Sequence, residues 1–155
     1  MTTGNDPPVY CDSAILVKLV CHEPDSAFFE RELTGQPLRS CDLARAEVFA
    51  ALRAKERSGQ IAAGDVERAW RQFMDWVDEE TVLLDPLDAR VLDRAMHSIR
   101  RCHPQVAVRT LDAIHVAACD LGNEFPLVAT DVRLRAAARR MDIPVFPERL
   151  PNELF

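Results

Sequence analysis

Short apolar runs alternate along this chain with longer segments in which apolar residues recur at helical spacing. The short runs have the length of buried strands and predict strands at 7–11, 37–41, 81–84, 126–130 and 143–146. The longer segments predict helices at 15–20, 25–33, 43–58, 64–80, 88–101, 111–121 and 132–141. Because the runs are apolar throughout and do not alternate, we expect an α/β sandwich with a mostly parallel central sheet flanked by helices.

Polar residues with strong end preferences mark two of the predicted helices. Asp42 is a candidate N-cap for helix 43–58, and Thr110 is a candidate N-cap for helix 111–121. The centre of helix 111–121 is apolar on nearly all sides, which predicts a buried helix. Helix 88–101 is expected to turn one apolar face inward, formed by Val91, Leu92, Ala95, Met96 and Ile99.

The size of the chain, 155 residues with 48% hydrophobic, is enough for one substantial core. We therefore expect a single domain, 1–155, with its core at about 8–147. The N-terminus lacks a basic patch followed by an apolar run, and no apolar stretch approaches the roughly 20 residues needed to span a bilayer. A cytoplasmic location is the expectation that follows.

Cysteine and histidine are dispersed, which argues against a zinc-type site. The five cysteines are odd in number and contain no Cys-x-x-Cys pair: Cys11, Cys21, Cys41, Cys102 and Cys119. They are typical of reduced thiols in a core. The four histidines are also scattered, and His115 lies in the predicted buried helix, where a packed residue is more usual than a metal ligand. A metal in this protein would therefore be held by oxygen.

Two aspartates occupy the same predicted position. Asp12 and Asp131 each end an apolar strand and immediately precede a helix. In open parallel sheets this edge is where ligands bind. The alternative is that each aspartate only caps its helix, which contributes about 1 kcal/mol.

Two further acids lie on predicted helices. Asp112 is in the first turn of helix 111–121, where it would also complement the helix dipole. Glu47 follows Asp42 by five residues and so cannot complete a capping box. Small alanines at helical spacing let another element approach, so Glu47 is expected to point into the protein. A buried carboxylate needs a cation, and both a metal and an arginine partner remain open.

If the sheet brings Asp12, Glu47, Asp112 and Asp131 to one end, their mutual repulsion requires a cation. Carboxylate and water oxygens without nitrogen or sulfur suit Mg²⁺ or Mn²⁺. A metal held in this way can activate water and stabilise a leaving oxygen, the chemistry of phosphodiester cleavage.

The formal net charge of −6 argues against general affinity for nucleic acid. Near the C-terminus, however, four arginines are crowded together: Arg133, Arg135, Arg139 and Arg140. They could meet RNA phosphates beside the acids, with Arg133, Arg135 and Arg139 as the predicted contacts. The alternative is an ordinary solvated helix face.

The residues around the four acids resemble a known family. The segments are Tyr10 to Leu19 (YCDSAILVKL), Arg45 to Val48 (RAEV), Thr110 to Ala117 (TLDAIHVA) and Asp131 to Leu134 (DVRL). In this order and spacing they resemble a PIN-domain ribonuclease of the VapC toxin type, over about residues 9–145. Each segment is weakly specific by itself, and the four together are fairly specific.

The resemblance implies a Mg²⁺- or Mn²⁺-dependent endoribonuclease that cleaves structured RNA of the tRNA or rRNA class. It also implies a homodimer, a type II toxin–antitoxin pair and neutralisation by a VapB-like antitoxin. Asp12, Glu47, Asp112 and Asp131 fall on the family's acidic positions, with Asp12, Asp112 and Asp131 as the expected metal ligands. The family's usual hydroxyl positions hold Ala14 and Ala129 here, which leaves Ser13 and Thr130 as the nearest hydroxyls.

The same resemblance predicts where an antitoxin would bind. An amphipathic segment could lie in a groove between helices 25–33 and 43–58 and contact Phe28, Phe29 and Phe49. An arginine from that partner could then pair with Asp12 or Asp112.

Two other functions fit parts of the sequence. A Mg²⁺-dependent phosphoryl-transfer domain also places an aspartate at a strand end, but such phosphatases have a second acid two residues later, where this chain has Ala14. No lysine follows Lys55, so a late phosphate-binding lysine is also lacking. A catalytically silent PIN-like interaction module is the other alternative, and the retention of all four acids speaks against it.

Overall fold

A computed structural model describes residues 6–151. Its five strands form one sheet in which every neighbouring pair is parallel, in the order β3-β2-β1-β4-β5. The strands are β1 (Val9–Cys11), β2 (Leu38–Cys41), β3 (Val82–Asp85), β4 (Leu127–Val128) and β5 (Val145–Phe146). The predicted α/β class with a parallel central sheet is confirmed, although the last two strands are shorter than predicted.

Seven helices connect the strands within the described range. They are α1 (Ser13–Val20), α2 (Ser26–Leu33), α3 (Leu43–Arg57), α4 (Ala63–Asp78), α5 (Ala89–Cys102), α6 (Thr110–Gly122) and α7 (Val132–Arg140). Helices α1 to α4 cover one face of the sheet, and α5 to α7 cover the other. In β1 the side chain of Tyr10 packs with α6 and α7, whereas Cys11 packs with α1 and α3. Both faces are buried, which explains why the strands are apolar without alternation.

Helix capping differs from the sequence prediction at two places. Asp42 precedes α3, but its backbone is already helical and its side chain makes no cap hydrogen bond. Thr110 is the first residue of α6, and Arg109 occupies the N-cap position without a side-chain cap. The predicted caps at Asp42 and Thr110 are therefore wrong, whereas Asp12 and Asp131 do accept cap hydrogen bonds.

The inward face of α5 was also predicted incorrectly in part. Val91 and Ala95 are buried, but Leu92, Met96 and Ile99 are exposed. The face that packs inward continues through two small residues, Ser98 and Cys102. Small side chains let α5 and α6 approach closely, and this turns the larger apolar residues outward.

The strand order places a topological switch point between β1 and β4. From β1 the chain proceeds to β2 and β3 on one side, then returns through α5 and α6 to β4 on the other side of β1. Ligands of open parallel sheets bind in the crevice at the carboxyl ends of the strands at such a point. Asp12 follows β1 directly, and Asp131 follows β4 and precedes α7.

Buried thiols and helix character are two further features of the fold. All five cysteines are buried and unpaired, as expected for core thiols. Between residues 6 and 151, no helix combines the length and apolar character that crossing a bilayer requires.

Candidate active site

Asp12 lies at the end of β1, where it begins α1. Its Oδ1 accepts a hydrogen bond from the Ile15 amide at 3.0 Å, so its capping role is real and leaves Oδ2 for another ligand. The residue is buried, with 5% of its surface exposed. Burial raises the pKa of Asp12 to about 6, with smaller upward contributions from the charges of Glu47 and Asp112, although His115 and the Ile15 amide act in the opposite direction. The charge of this carboxylate is thus costly to hold without a nearby cation.

Glu47 reaches this site from α3 through a hydrogen-bonded network. Its Oε1 accepts a hydrogen bond from the Ser13 hydroxyl at 2.8 Å and lies 2.5 Å from His115 Nε2. The other ring nitrogen of His115, Nδ1, lies 2.8 Å from the Tyr10 hydroxyl. Glu47 therefore points into the protein as expected, and its partner is a histidine where an arginine had remained possible.

The charges of Glu47 and His115 stabilise each other. Burial opposes the charge of His115, but its contacts with Cys41 and Glu47 outweigh that effect and raise its pKa to about 10. Burial likewise opposes ionisation of Glu47, but His115 and then Ser13 hold the pKa of Glu47 below its ordinary value. At neutral pH this pair is an imidazolium and a carboxylate in contact.

Asp112 and Asp131 are joined by one guanidinium. Nε of Arg109 lies 2.8 Å from Asp112 Oδ2, and its Nη2 lies 3.0 Å from Asp131 Oδ2. Asp131 uses its other oxygen, Oδ1, to cap α7 by accepting from the Leu134 amide at 2.9 Å. The Arg109 side chain is 57% exposed, whereas that of Asp112 is 15% exposed. Arg109 therefore covers the acids from the solvent side.

These contacts bring all four predicted acids to the switch point. Asp12 is close enough to Glu47 and Asp112 for their charges to affect its pKa, and Arg109 links Asp112 to Asp131. Among residues 6–151, however, no three His, Cys, Asp or Glu side chains are arranged to hold one metal ion. The acids are neighbours, but Arg109 and His115 engage several of the oxygens that a metal would need.

The predicted arginine surface is only partly a surface. Arg135 is 4% exposed, and its guanidinium donates to the carbonyl oxygens of Ala129, Pro147 and Glu148. The prediction of Arg135 as an RNA contact is wrong because these bonds tie α7 to the segments that follow β4 and β5. Arg133 and Arg139 are exposed and stay candidates for RNA contact.

The two predicted hydroxyls lie in different surroundings. Ser13 is buried and donates to Glu47, so it orients an acid of the site. Thr130 precedes Asp131 and lines a cleft with Lys18 and Pro151.

The predicted phenylalanine groove is also changed. Phe29 is fully buried in the core and cannot receive a partner, so that part of the prediction is wrong. Phe28 packs edge-on against Phe29 and stacks on Phe146. Phe49 is 38% exposed and packs against Trp70, with the guanidinium of Arg53 over its ring.

Sequence reasoning missed the two basic residues that organise the site. His115 follows Asp112 by three residues and Arg109 precedes it by three, so helical spacing could have placed Asp112 and His115 on one face of α6 and Arg109 just before that helix. That spacing gives proximity along one helix. It does not show that Glu47, on another helix, would meet His115.

Comparisons with known proteins agree with this architecture. The family model described as PIN domain matches residues 9–140. Ribonuclease VapC46 of Mycobacterium tuberculosis (strain ATCC 25618 / H37Rv) is 36% identical over 140 residues, which cover 88% of this chain and 95% of that protein.

Two solved structures share the fold. The crystal structure of VapBC2 from Rickettsia felis bound to a DNA fragment from their promoter matches with a TM-score of 0.58 and 9% identity, covering 89% of this chain and 96% of that one. The crystal structure of FitAcB from Neisseria gonorrhoeae matches with a TM-score of 0.59 and 12% identity, over the same shares. With the family match over most of its length and a 36% identical relative, the chain belongs to the PIN-domain family.

Proposed function

We propose that this chain is a divalent-metal-dependent endoribonuclease and the toxin of a type II toxin–antitoxin pair. The observation that carries the proposal is the meeting of four acids at the switch point of a parallel sheet in a PIN-family chain 36% identical to a ribonuclease. PIN-domain ribonucleases generally depend on a divalent metal ion. Our proposal for this chain is Mg²⁺ or Mn²⁺.

The donor chemistry of the site fits such an ion. Asp12 and Asp131 each use Oδ1 to cap a helix, and Asp112 offers a carboxylate from the first turn of α6. We therefore propose Asp12, Asp112 and Asp131 as the metal ligands, since hard divalent ions prefer carboxylate oxygen. A bound ion of this kind supplies an activated water and stabilises the leaving oxygen of a phosphodiester.

The chain's own residues orient the reaction. His115 and Ser13 hold Glu47 by Oε1, and their contacts keep Glu47 ionised. Its Oε2 can then orient a water molecule by accepting a hydrogen bond. Arg133 and Arg139 on α7 lie after Asp131 and supply positive charge for RNA phosphates. Structured RNA of the tRNA or rRNA class is the proposed substrate.

A VapB-like antitoxin is the proposed partner. One structure that shares the fold is that of VapBC2 from Rickettsia felis, although its 9% identity to this chain supports the shared fold alone. An amphipathic segment of the antitoxin could contact Phe49, the exposed member of the predicted groove, and Phe28, which is partly buried. A partner arginine could pair with Asp12 or Asp112.

A homodimer, a single domain over 1–155 and a cytoplasmic location belong to the same proposal.

The proposal is tested by assaying the purified chain on a structured RNA with Mg²⁺, with Mn²⁺ and with a chelator. Cleavage that needs the metal supports it, and growth arrest by the chain alone, relieved by coexpression of its neighbouring reading frame, supports the toxin role. Metal-independent binding of RNA without cleavage would contradict the enzyme and favour the silent interaction module. Transfer of phosphate to an aspartate would favour the phosphoryl-transfer alternative.

A further inference from the structure

Arg109 makes two charged contacts at the acidic site and belongs to neither the predicted ligands nor the predicted RNA contacts. It precedes the first residue of α6 and reaches Asp112, three residues later, and Asp131 at the start of α7. A planar guanidinium can donate from different nitrogens to two carboxylates at once, as Nε and Nη2 of Arg109 do.

The oxygens bound by Arg109 are ones that a metal ion would need. Asp131 Oδ1 is already engaged by the Leu134 amide, so Oδ2, which Arg109 contacts, is the oxygen left for a ligand. Asp112 also contacts Arg109 through its Oδ2. A guanidinium and a divalent cation cannot occupy the space between these two atoms together.

The arginine is placed so that it can leave. Its side chain is 57% exposed, and its guanidinium donates hydrogen bonds to the two aspartates. The contrast with Arg135 is clear, because that guanidinium is buried and bound to three backbone carbonyl oxygens. An exposed ion pair contributes little free energy, so a divalent ion can replace it.

We propose that Arg109 is a resident counter-ion of the acidic site, which holds Asp112 and Asp131 together until a divalent cation displaces its guanidinium from them. The proposal rests on the proposed function, since it assumes that these acids bind metal. Arg109 thereby lowers the apparent affinity of the site for metal and keeps the acids from repelling each other before the metal binds.

The test is Mn²⁺ binding measured by calorimetry on the wild-type chain and on Arg109→Ala, without RNA. Removing the competing guanidinium should tighten Mn²⁺ binding by roughly 3- to 10-fold, as expected for the loss of two exposed ion pairs. Arg109→Lys should give an intermediate affinity because one ammonium replaces the fork of donors. Arg101→Ala is the matched control, since Arg101 is a 46% exposed arginine paired with Asp142 at 2.6 Å outside the site. The Arg101→Ala variant should bind Mn²⁺ with the wild-type affinity.

A second measurement begins in excess chelator, where its result does not depend on metal binding. In excess chelator, Arg109→Ala should unfold at a lower temperature than Arg101→Ala, because its acids lose their counter-ion, and added Mn²⁺ should raise its unfolding temperature more than that of the wild type. Equal or weaker Mn²⁺ binding by Arg109→Ala, with Asp12→Asn still abolishing that binding, would overturn the role of Arg109 and leave the metal site standing. Absence of Mn²⁺ binding in both the wild type and Arg109→Ala would overturn the metal site and the role of Arg109 together.

Discussion

The switch-point acids and the Asp85–Glu124 pair both place carboxylates close together, but they balance the charge in different ways. At the switch point, Arg109 is exposed and contacts Asp112 and Asp131 from the solvent side. In the pair, Arg39 of β2 lies 2.5 Å from Asp85 and 3.3 Å from Glu124, whose side chain is 6% exposed. Solvent therefore reaches the cation of the switch-point acids more readily than the cation of the pair.

We expect a proton to complete the charge balance of the Asp85–Glu124 pair. Asp85 Oδ2 and Glu124 Oε2 are buried and have no hydrogen-bond donor among residues 6–151. Burial first, and then the neighbouring Asp85, raise the pKa of Glu124 to about 8, with Arg39 acting in the opposite direction. A proton shared by the two acids would supply the missing donor. The two clusters therefore differ in their cation, since the Arg109 side chain is 57% exposed and the Arg39 side chain is 30% exposed.

The largest expected effect separates these two regions by activity. Asp12→Asn should lower metal-dependent RNA cleavage by more than ~100-fold, because it removes a proposed metal ligand. The fold should persist, since asparagine also caps helices well. Glu124→Gln is the matched control, another buried acid changed to its amide, and it should cleave at the wild-type rate. Initial cleavage rates, with urea unfolding of each variant, measure the difference, and wild-type cleavage by Asp12→Asn would exclude Asp12 as a ligand.

A second change tests how the switch-point site is held in place. His115→Leu removes the contacts to both Glu47 and Tyr10 from a residue that is 2% exposed. It should lower the free energy of unfolding by about 2–4 kcal/mol, because the partly buried Glu47 carboxylate and the buried Tyr10 hydroxyl lose their partner. Glu47→Gln, which keeps hydrogen-bonding groups there, should cost less. Urea unfolding at pH 7 gives both values, and an unchanged stability of His115→Leu would mean that the network contributes nothing to folding.

Protonation of the Asp85–Glu124 pair should make the free energy of unfolding depend on pH. Between the ordinary Glu value of 4.5 and the folded value of about 8, the folded chain keeps a proton that the unfolded chain has released, so the contribution of Glu124 to stability falls as pH rises through this window. Glu124→Gln lacks this loss and should gain on the order of 1–3 kcal/mol over the wild type between pH 5 and pH 8.5. Subtracting the wild-type curve of unfolding free energy against pH from that of Glu124→Gln leaves the contribution of Glu124, because His115 is present in both chains. A difference that does not change with pH would show that Glu124 is ionised in the folded chain.

The smallest expected effect distinguishes exposed arginines from the buried one. Arg133→Ala and Arg139→Ala should each weaken RNA binding by a few-fold. Each should also reduce the slope of log binding constant against log salt concentration by about one, with stability unchanged. Arg135→Ala should instead lower stability, because three carbonyl oxygens lose a donor. Filter binding at several salt concentrations measures the slopes for Arg133→Ala and Arg139→Ala. Unchanged slopes would mean that these two arginines do not contact RNA phosphates.

Much of the candidate site could be predicted because it depends on local sequence. Asp12 and Asp131 each follow an apolar strand and begin a helix, and parallel strands bring such residues to one edge. The outward turn of Met96 and the burial of Arg135 could not be predicted in the same way. Periodicity gives the faces of a helix, but the neighbour that packs against it decides which face is covered.

The sequence by itself determined the alternation of strands and helices and the positions of Asp12 and Asp131 at the starts of helices, because these follow from hydrophobic spacing and chain connectivity. Only the tertiary structure decided what each acid meets. Glu47 meets His115 across 68 residues of chain, and Arg109 meets Asp131 across 22. Such pairs depend on how helices pack on the two faces of the sheet, so local sequence patterns do not predict which residue each acid contacts. The counter-ions of the acids are therefore a property of the packed fold.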